Sequence, residues 1–386
     1  MCVRFEKLPA EDDSLQEVGR TNTTKAQLAA SALRLNQRLE LPWQRIARLF
    51  YAEPFLAISI QIANHMHLFK TLHEQEGSRT VDDLAHSLGR DPSFIRRILR
   101  SLSAGKILEQ HGSDAYFSTP LSEVLLVPEA VHAIDFLFES GYPYFALIPE
   151  YIQSIGFVSP ADQGAWQNFR KTDMSIYEWL DTHPEEMMNF VGLMKVWSES
   201  QEPWIELYPA DSLLDSADKQ GTILVDVAGG GGRDINNFLG RYPQTAGRLV
   251  LQDRPEEVKA AKIQQGIERM PHDIFTPQPI KAARAYFLHS ILHNYTDERA
   301  RDLLGHLKKS MNPGYSKVLV YEDTVSNQDP KELSCGSDLV MMATFGTGAR
   351  TELDWELLFD SVGLKLNKTF RSTRGSQCLM ELELVT

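Results

Sequence analysis

Apolar positions change their period partway along the chain. From Ala26 they recur at helical spacing. Between Trp43 and Leu72, residues Ile46, Leu49, Phe50, Phe55, Ile58, Ile60, Ile62 and Leu68 fall on more than one helical face, the pattern of helices buried between subunits or domains. Thr80-Val-Asp-Asp83 has capping-box spacing and predicts a helix running to Gly89. Asp91-Pro92 then supplies an N-cap and a first-turn proline for a second helix ending at Gly105. Ile107-Leu108 and Ala115 to Ser118 follow as two short strands across a His-Gly-Ser-Asp turn, so this stretch reads as a winged helix. Residues 120 to 215 are helical by pattern again. Their aromatic-rich stretches, Phe136 to Phe138, Tyr142 to Phe145 and Trp197 to Trp204, suit an aromatic ligand pocket or a core between domains.

From Thr222 the pattern changes. The apolar runs Ile223 to Val227, Leu249 to Leu251, Ala285 to Leu288 and Val318 to Val320 alternate with helical segments, which predicts a parallel sheet with right-handed crossovers. Leu364 to Phe370 and Cys378 to Val385 are close enough to pair as a terminal hairpin. The fold class is therefore α/β, a doubly wound sheet preceded by an all-α winged-helix domain. Its expected divisions are a polar lead-in over 1–24, a helical winged-helix domain over 25–125, a helical connector lining the substrate pocket over 126–215, and the α/β domain over 216–386.

Charge and cysteine usage narrow the function. A net charge of -13 repels phosphate backbones, so Arg96, Arg97 and Arg100 on the second winged-helix helix point to packing rather than to DNA. Cys2, Cys335 and Cys378 are odd in number and lack metal-ligand spacing, so neither a disulfide framework nor a metal site is expected. No apolar run approaches the ~18 residues of a membrane span, and no signal-type apolar core follows Met1. A cytoplasmic protein without membrane or nucleic-acid partners is expected.

The strongest local signal is Leu224-Val-Asp-Val-Ala-Gly-Gly-Gly-Gly-Arg-Asp234, a strand running through four glycines into a helix. Glycine is needed where backbone must approach a ligand closely or take positive φ. The loop is not a dinucleotide fingerprint, because Asp234 stands where that motif needs its third glycine. Asp253 ends the next strand, about twenty residues beyond the glycines, where an acid commonly grips ribose hydroxyls. Both features lie at carboxyl ends of strands, where such sheets bind ligands.

Together these residues resemble the plant and fungal O-methyltransferase family, especially its fungal secondary-metabolism branch, from about residue 40 onward. The resemblance is carried by Leu224 to Gly232, Leu249 to Pro255, His272 to Pro279, Leu292 to Asp297, Gly314 to Glu322 and Arg350-Thr-Glu352. It implies a Rossmann-like methyltransferase sheet with a winged-helix dimerisation domain, S-adenosylmethionine (SAM) as cofactor, a small-molecule acceptor and a homodimer. By the same resemblance, Gly229 and Gly230 approach the amino-acid part of the cofactor, Asp253 its ribose, and Asp273 with Ile274 its adenine. His289 takes a further cofactor-contact position, His293 the place of the catalytic base, and Glu322 that of an acid flanking it. A hydroxyl acceptor with a pKa of ~10 is mostly protonated at neutral pH, so a histidine base contributes typically ~10²- to 10⁴-fold.

Two positions depart from the family pattern. Asn294 follows the histidine where Asp is usual, and Ala349 precedes Arg350-Thr351 where Glu is usual, leaving Glu322 alone to stabilise the imidazolium. A second reading therefore stands beside methyl transfer, a pericyclase or dehydratase in which the bound sulfonium is a fixed positive charge. In that reading His132 and His293 polarise a substrate carbonyl. A third, a DNA-binding regulator with a ligand-sensing C-terminal domain, is disfavoured by the acidic charge.

Overall fold

The computed structural model describes residues 25–74, 77–160, 164–215, 217–218, 220–372 and 375–385; the lead-in expected over 1–24 lies outside them. The chain divides into two compact units, Met1–Asp135 and Phe136–Thr386.

In the first unit, helix Pro42–Ala47 passes through a single π-turn, Arg48–Ala52, into helix Glu53–His65. The resulting run of 24 residues, Pro42–His65, is long and apolar enough to cross a membrane by length and composition. This corrects the expectation that no stretch approaches such a length. Arg45, Arg48 and Glu53 interrupt the apolar sequence, yet in the folded chain Arg48 pairs with Glu40 at 2.8 Å and also with Glu53. Apolar side chains of this helix face outward from the single chain, Trp43 at 81% and Phe50 at 79% exposure.

The winged helix forms through local chemistry. Thr80 Oγ1 accepts from the Asp83 N–H at 3.1 Å while the Asp83 carboxylate accepts from the Thr80 N–H at 3.2 Å, a reciprocal cap that starts helix Val81–Leu88. Gly89 closes that helix in a left-handed conformation, φ +62°. Asp91 accepts from the Ser93 N–H at 3.0 Å and opens helix Pro92–Ala104. The wing is the antiparallel pair β1 (Glu109–His111) and β2 (Ala115–Phe117). Its first strand falls after Ile107-Leu108 rather than on them. These two side chains are buried with Ile95, Leu99 and Leu102 and fill the core of the unit, which an apolar dipeptide does equally well from a turn.

The second unit is built on a seven-stranded sheet ordered β5-β4-β3-β6-β7-β9-β8. The strands are β3 (Leu224–Val227), β4 (Leu249–Asp253), β5 (Ile267–Pro271), β6 (Ala285–His289), β7 (Lys317–Asp323), β8 (Leu364–Arg371) and β9 (Gln377–Leu384). The first five pair in parallel, and β8 and β9 form the expected antiparallel hairpin at the far edge. Successive residues feed opposite faces: Val225, Val250, Tyr286, Leu288, Val318 and Val320 pack on one side, Leu224, Leu251, Phe287, Leu319 and Tyr321 on the other. Both faces are covered, so these strands read as continuous apolar runs. Edge strand β5, Ile-Glu-Arg-Met-Pro, buries fully only Ile267 and has no such run, which is why its sequence does not announce it.

From Phe136 onward, the helical segment before the sheet belongs to this unit. Its aromatic residues Tyr144 and Trp166 are core, clustered with Ile176, Leu180 and Ala343 of helix Glu332–Phe345.

Candidate active site

Parallel pairing places the carboxyl ends of β3, β4, β6 and β7 along one edge of the sheet, and the predicted site residues of the second unit gather there. After Val227 the chain turns through Ala228 at φ +57°, Gly230 at +53° and Gly232 at +79° before helix Arg233–Arg241 begins. Left-handed backbone is strained for alanine, and such strain tends to mark functional turns. At Gly229 the requirement is close approach: a Cβ there would lie 2.4 Å from the Asp226 carboxylate and 2.6 Å from Leu251. The Gly229 N–H donates to Gln252 O at 3.1 Å, and the Gly230 N–H donates to Asp253 Oδ2 at 2.8 Å. The glycine loop is thereby tied to the acid ending the neighbouring strand.

Three carboxylates converge on this loop. Asp226 is 1% exposed and its Oδ2 has no hydrogen-bond partner. Burial, and then repulsion from Asp234 and Asp253, push its carboxyl well above the usual range. Burial also raises Asp253, against the pull of the Arg254 and Gly230 N–H groups. Asp234 moves the other way: burial opposes ionisation, but the charge and hydrogen bond of His289, with Arg233, outweigh it. His289 Nδ1 lies 2.7 Å from Asp234 Oδ2. A carboxylate only accepts, so Nδ1 carries the proton.

A buried, partly unpartnered acidic cradle beside bare glycine backbone fits a ligand with a cationic amino-acid end, as SAM has, through Asp226, Gly229, Gly230, Asp234, Asp253 and His289. Asp226 and Asp234 were missed as site residues by sequence reasoning. The signal for the first was an acid inside the otherwise apolar run Leu224-Val-Asp-Val227.

Next along this edge, the His272 N–H donates to Asp253 O at 2.9 Å. Asp273 Oδ1 accepts from the Phe275 N–H at 2.9 Å and so caps its own turn. Ile274 packs against the sheet core. Phe275 meets Tyr295 edge-on at 5.0 Å, and Arg299 lies over the Phe275 ring at 3.5 Å. Gln252 and Gln278, both buried, exchange two amide hydrogen bonds of 2.8 Å and fasten this loop to β4.

The second cluster grows from β6 and β7. Beyond His289, Ser290 takes φ +56° and leads into the 3-10 turn Leu292–Asn294. Glu322, fully buried near the end of β7, accepts from the Ile291 and Leu292 N–H groups at 2.9 and 2.7 Å through Oε1. Its Oε2 accepts from His293 Nδ1 at 2.7 Å. That bond sets the tautomer and leaves Nε2 as the free base. Burial lowers the His293 pKa and raises that of Glu322, but their mutual attraction reverses both, so the imidazole is raised and the carboxyl lowered. The His293 side chain remains 23% exposed, enough to be reached from outside.

The turn is clamped from behind. Arg350, 7% exposed, donates to Leu292 O at 2.9 Å, to Tyr295 O at 2.8 Å and to Asp297 Oδ1 at 2.9 Å, and Thr347 Oγ1 donates to His293 O at 2.9 Å. Arg350 and Thr347 were not assigned roles from sequence, since their partners lie some fifty residues away. His132 lies on helix Pro128–Phe136, in the first unit.

Comparison with known proteins identifies the family. Residues 161–365 match the model of an O-methyltransferase domain, and residues 55–128 that of an O-methyltransferase dimerisation domain. The chain is 34% identical over 363 residues to the O-methyltransferase mfmE of Annulohypoxylon moriforme, covering 93% of this chain and 90% of the relative. It is 32% identical over 368 residues to the O-methyltransferase mpaG of Penicillium brevicompactum, covering 92% of each. Among solved structures it is similar to LepI in complex with SAH and a substrate analogue, with a TM-score of 0.87, 25% identity and coverage of 97% of this chain and 98% of that one. It is similar also to a protein described as a pericyclic reaction enzyme, with a TM-score of 0.86, 26% identity and the same coverage. The chain therefore belongs to the O-methyltransferase family, as a SAM-dependent enzyme with the family's dimerisation domain and Rossmann-like fold.

Proposed function

We propose that the protein methylates a hydroxyl group of a small aromatic or polyketide-like metabolite, with His293 as base and Glu322 as its orienting acid. The observation that carries this reading is the 2.7 Å contact of His293 Nδ1 with a fully buried carboxylate, because it holds the proton on Nδ1 and leaves the Nε2 lone pair free to take a proton. When bound, SAM supplies an electrophilic methyl group on a sulfonium sulfur. His293 Nε2 would take the proton of the acceptor O–H while the oxygen receives the methyl group that SAM would supply, the electron pair of the broken carbon–sulfur bond leaving with SAH. Glu322 stabilises the imidazolium in a dry setting, where the attraction exceeds that in water. Arg350 and Thr347 hold the backbone of the turn, so the base is in place before the acceptor arrives.

The mfmE and mpaG relatives are named as O-methyltransferases of fungi, which supports a secondary-metabolite acceptor here. The exposed apolar side chains of Pro42–His65, beside a match to a dimerisation domain, support a homodimer. Cytoplasmic placement, where the free thiols Cys335 and Cys378 stay reduced, completes the reading.

The test is to incubate the protein with methyl-labelled SAM and a panel of catechols, resorcinols and naphthols, following labelled ether and SAH together. Label in the acceptor with matching SAH is expected. SAM binding without label transfer, accompanied by unlabelled isomerised or dehydrated product from an extract, would overturn it in favour of the pericyclase-like reading.

A further inference from the structure

We infer that Asp338 is a positioning residue for the His293 base, acting through the loop 347–350 rather than by touching the acceptor. The inference rests on the reading of His293 as a base. Asp338 lies on helix Glu332–Phe345, whose C-terminus is closed by Gly346 at φ +65°. The chain there doubles back along its own helix, and the Asp338 Oδ1 accepts from the Ala349 N–H at 2.6 Å. A Cβ added to Gly348 would lie 3.4 Å from that same oxygen, so the carboxylate is seated against the backbone of the Gly348-Ala349 pair.

The residues on either side of this pair are the ones that hold the catalytic turn. Thr347 Oγ1 donates to the carbonyl of His293 itself at 2.9 Å. Arg350 donates to the carbonyl of Leu292 at 2.9 Å and to that of Tyr295 at 2.8 Å. A single side chain thus fixes the middle of a four-residue loop whose two ends grip the backbone before, at and after the imidazole. Neither Gly348 nor Ala349 has a side chain able to form a hydrogen bond, so their place in the loop depends on what their backbone reaches. Asp338 supplies that partner, and a charged acceptor makes the bond stronger than a neutral one would be. Glu322 orients the ring from β7, and Asp338 orients the turn from the opposite chain segment.

Loss of that anchor should let the turn shift, and misplacement by ~1 Å can cost ~10²-fold in rate. Asp338→Ala should therefore lower kcat far more than it raises KM for SAM. A structural role alone would lower the melting temperature without a specific effect on the ring, so the deciding readout is the imidazole.

In protein labelled with ¹⁵N at histidine, the His293 signal is identified by its loss in His293→Ala. In the wild type it should report one tautomer, with Nδ1 protonated. Asp338→Ala should move the His293 signal toward averaged tautomers and leave the His289 signal unchanged. Asp338→Asn, whose amide oxygen accepts the same N–H, should keep the wild-type His293 signal. An unchanged His293 signal in a folded Asp338→Ala would overturn the inference. Undiminished methyl transfer to a phenolic acceptor by His293→Ala would overturn the underlying reading instead, and the two failures are separately visible.

Discussion

His293 and Glu322 stand 29 residues apart in the chain and 2.7 Å apart in the fold, joined because parallel strands β6 and β7 deliver their carboxyl ends side by side. The bond uses one carboxylate oxygen; the other is fully engaged by the Ile291 and Leu292 N–H groups. The acid thus orients the ring and shapes the turn that carries it.

This pairing predicts the pH dependence. Burial alone would lower the His293 pKa, but Glu322 raises it above the ordinary 6.5. A base must be neutral, so the acid limb of the kcat profile should have its midpoint above that of an ordinary histidine. Glu322→Gln removes the raising charge and keeps the burial, so the midpoint should fall, with a lower plateau because the imidazolium loses its partner. Stability follows the same signs. The raised histidine contributes fully below about 6.5 and loses its contribution as pH rises through its folded pKa; the depressed Glu322 contributes above about 4.5 and loses it as pH falls through its own. The contribution of the pair should therefore be greatest between those values. Melting temperatures of wild type and Glu322→Gln across pH 4 to 9 check this, and parallel curves would contradict it.

Two glycines of one loop should behave differently. In Gly229→Ala the new methyl meets the Asp226 carboxylate at 2.4 Å and Leu251 at 2.6 Å, so these buried side chains or the loop itself must shift. A loss of about 1 to 3 kcal/mol and of SAM binding is expected. Gly231 has nothing within 4 Å of an added Cβ, and Gly231→Ala should melt within about 0.5 kcal/mol of wild type. Thermal unfolding of both variants without cofactor decides, and equal destabilisation would refute the packing argument.

Asp253→Asn separates folding from cofactor binding. The amide oxygen can still accept from the Gly230 N–H, so the loop keeps its tie, but the amide NH2 cannot replace Oδ1 as acceptor for the Arg254 N–H, a loss offset by removing a charge that burial makes unfavourable. The cofactor-free protein should melt within about 1 kcal/mol of wild type. Affinity for SAM, measured by calorimetry, should fall by roughly 10- to 100-fold as charged hydrogen bonds to the ligand are lost.

The Gln252–Gln278 exchange gives a double-mutant test. Replacing either glutamine by leucine strips the other of both bonds of the exchange, leaving Gln278 Nε2 or Gln252 Oε1 buried and unpaired, at about 1 to 3 kcal/mol. Replacing both removes the orphan along with its partner, so the double variant should lose clearly less than the sum of the singles. Additive losses in urea unfolding would show that the two amides do not act as a pair.

What the sequence determined by itself was whatever rests on short-range chemistry. Thr80 with Asp83, Gly89 and Asp91-Pro92 mark helix ends because caps satisfy backbone groups only a few residues away. The glycine run before Arg233 and the doubly covered strands β3, β4, β6 and β7 were legible because close backbone approach and two-sided burial each leave a composition signature. The roles of His293 and Glu322 came from a resemblance and not from spacing, which carries no record of their 2.7 Å contact.

Tertiary structure alone decided the rest. Ile107-Leu108 became core instead of strand, edge strand β5 formed without an apolar run, and Pro42–His65 ran unbroken through charges that pair only once folded. It also set the unpartnered Asp226 Oδ2 beside Gly229, Arg350 behind the turn Leu292–Asn294 and Asp338 against Ala349. Each of these is a contact between segments that fold topology brings together. No local propensity encodes which distant group will satisfy a buried carboxylate or carbonyl, only that some group must.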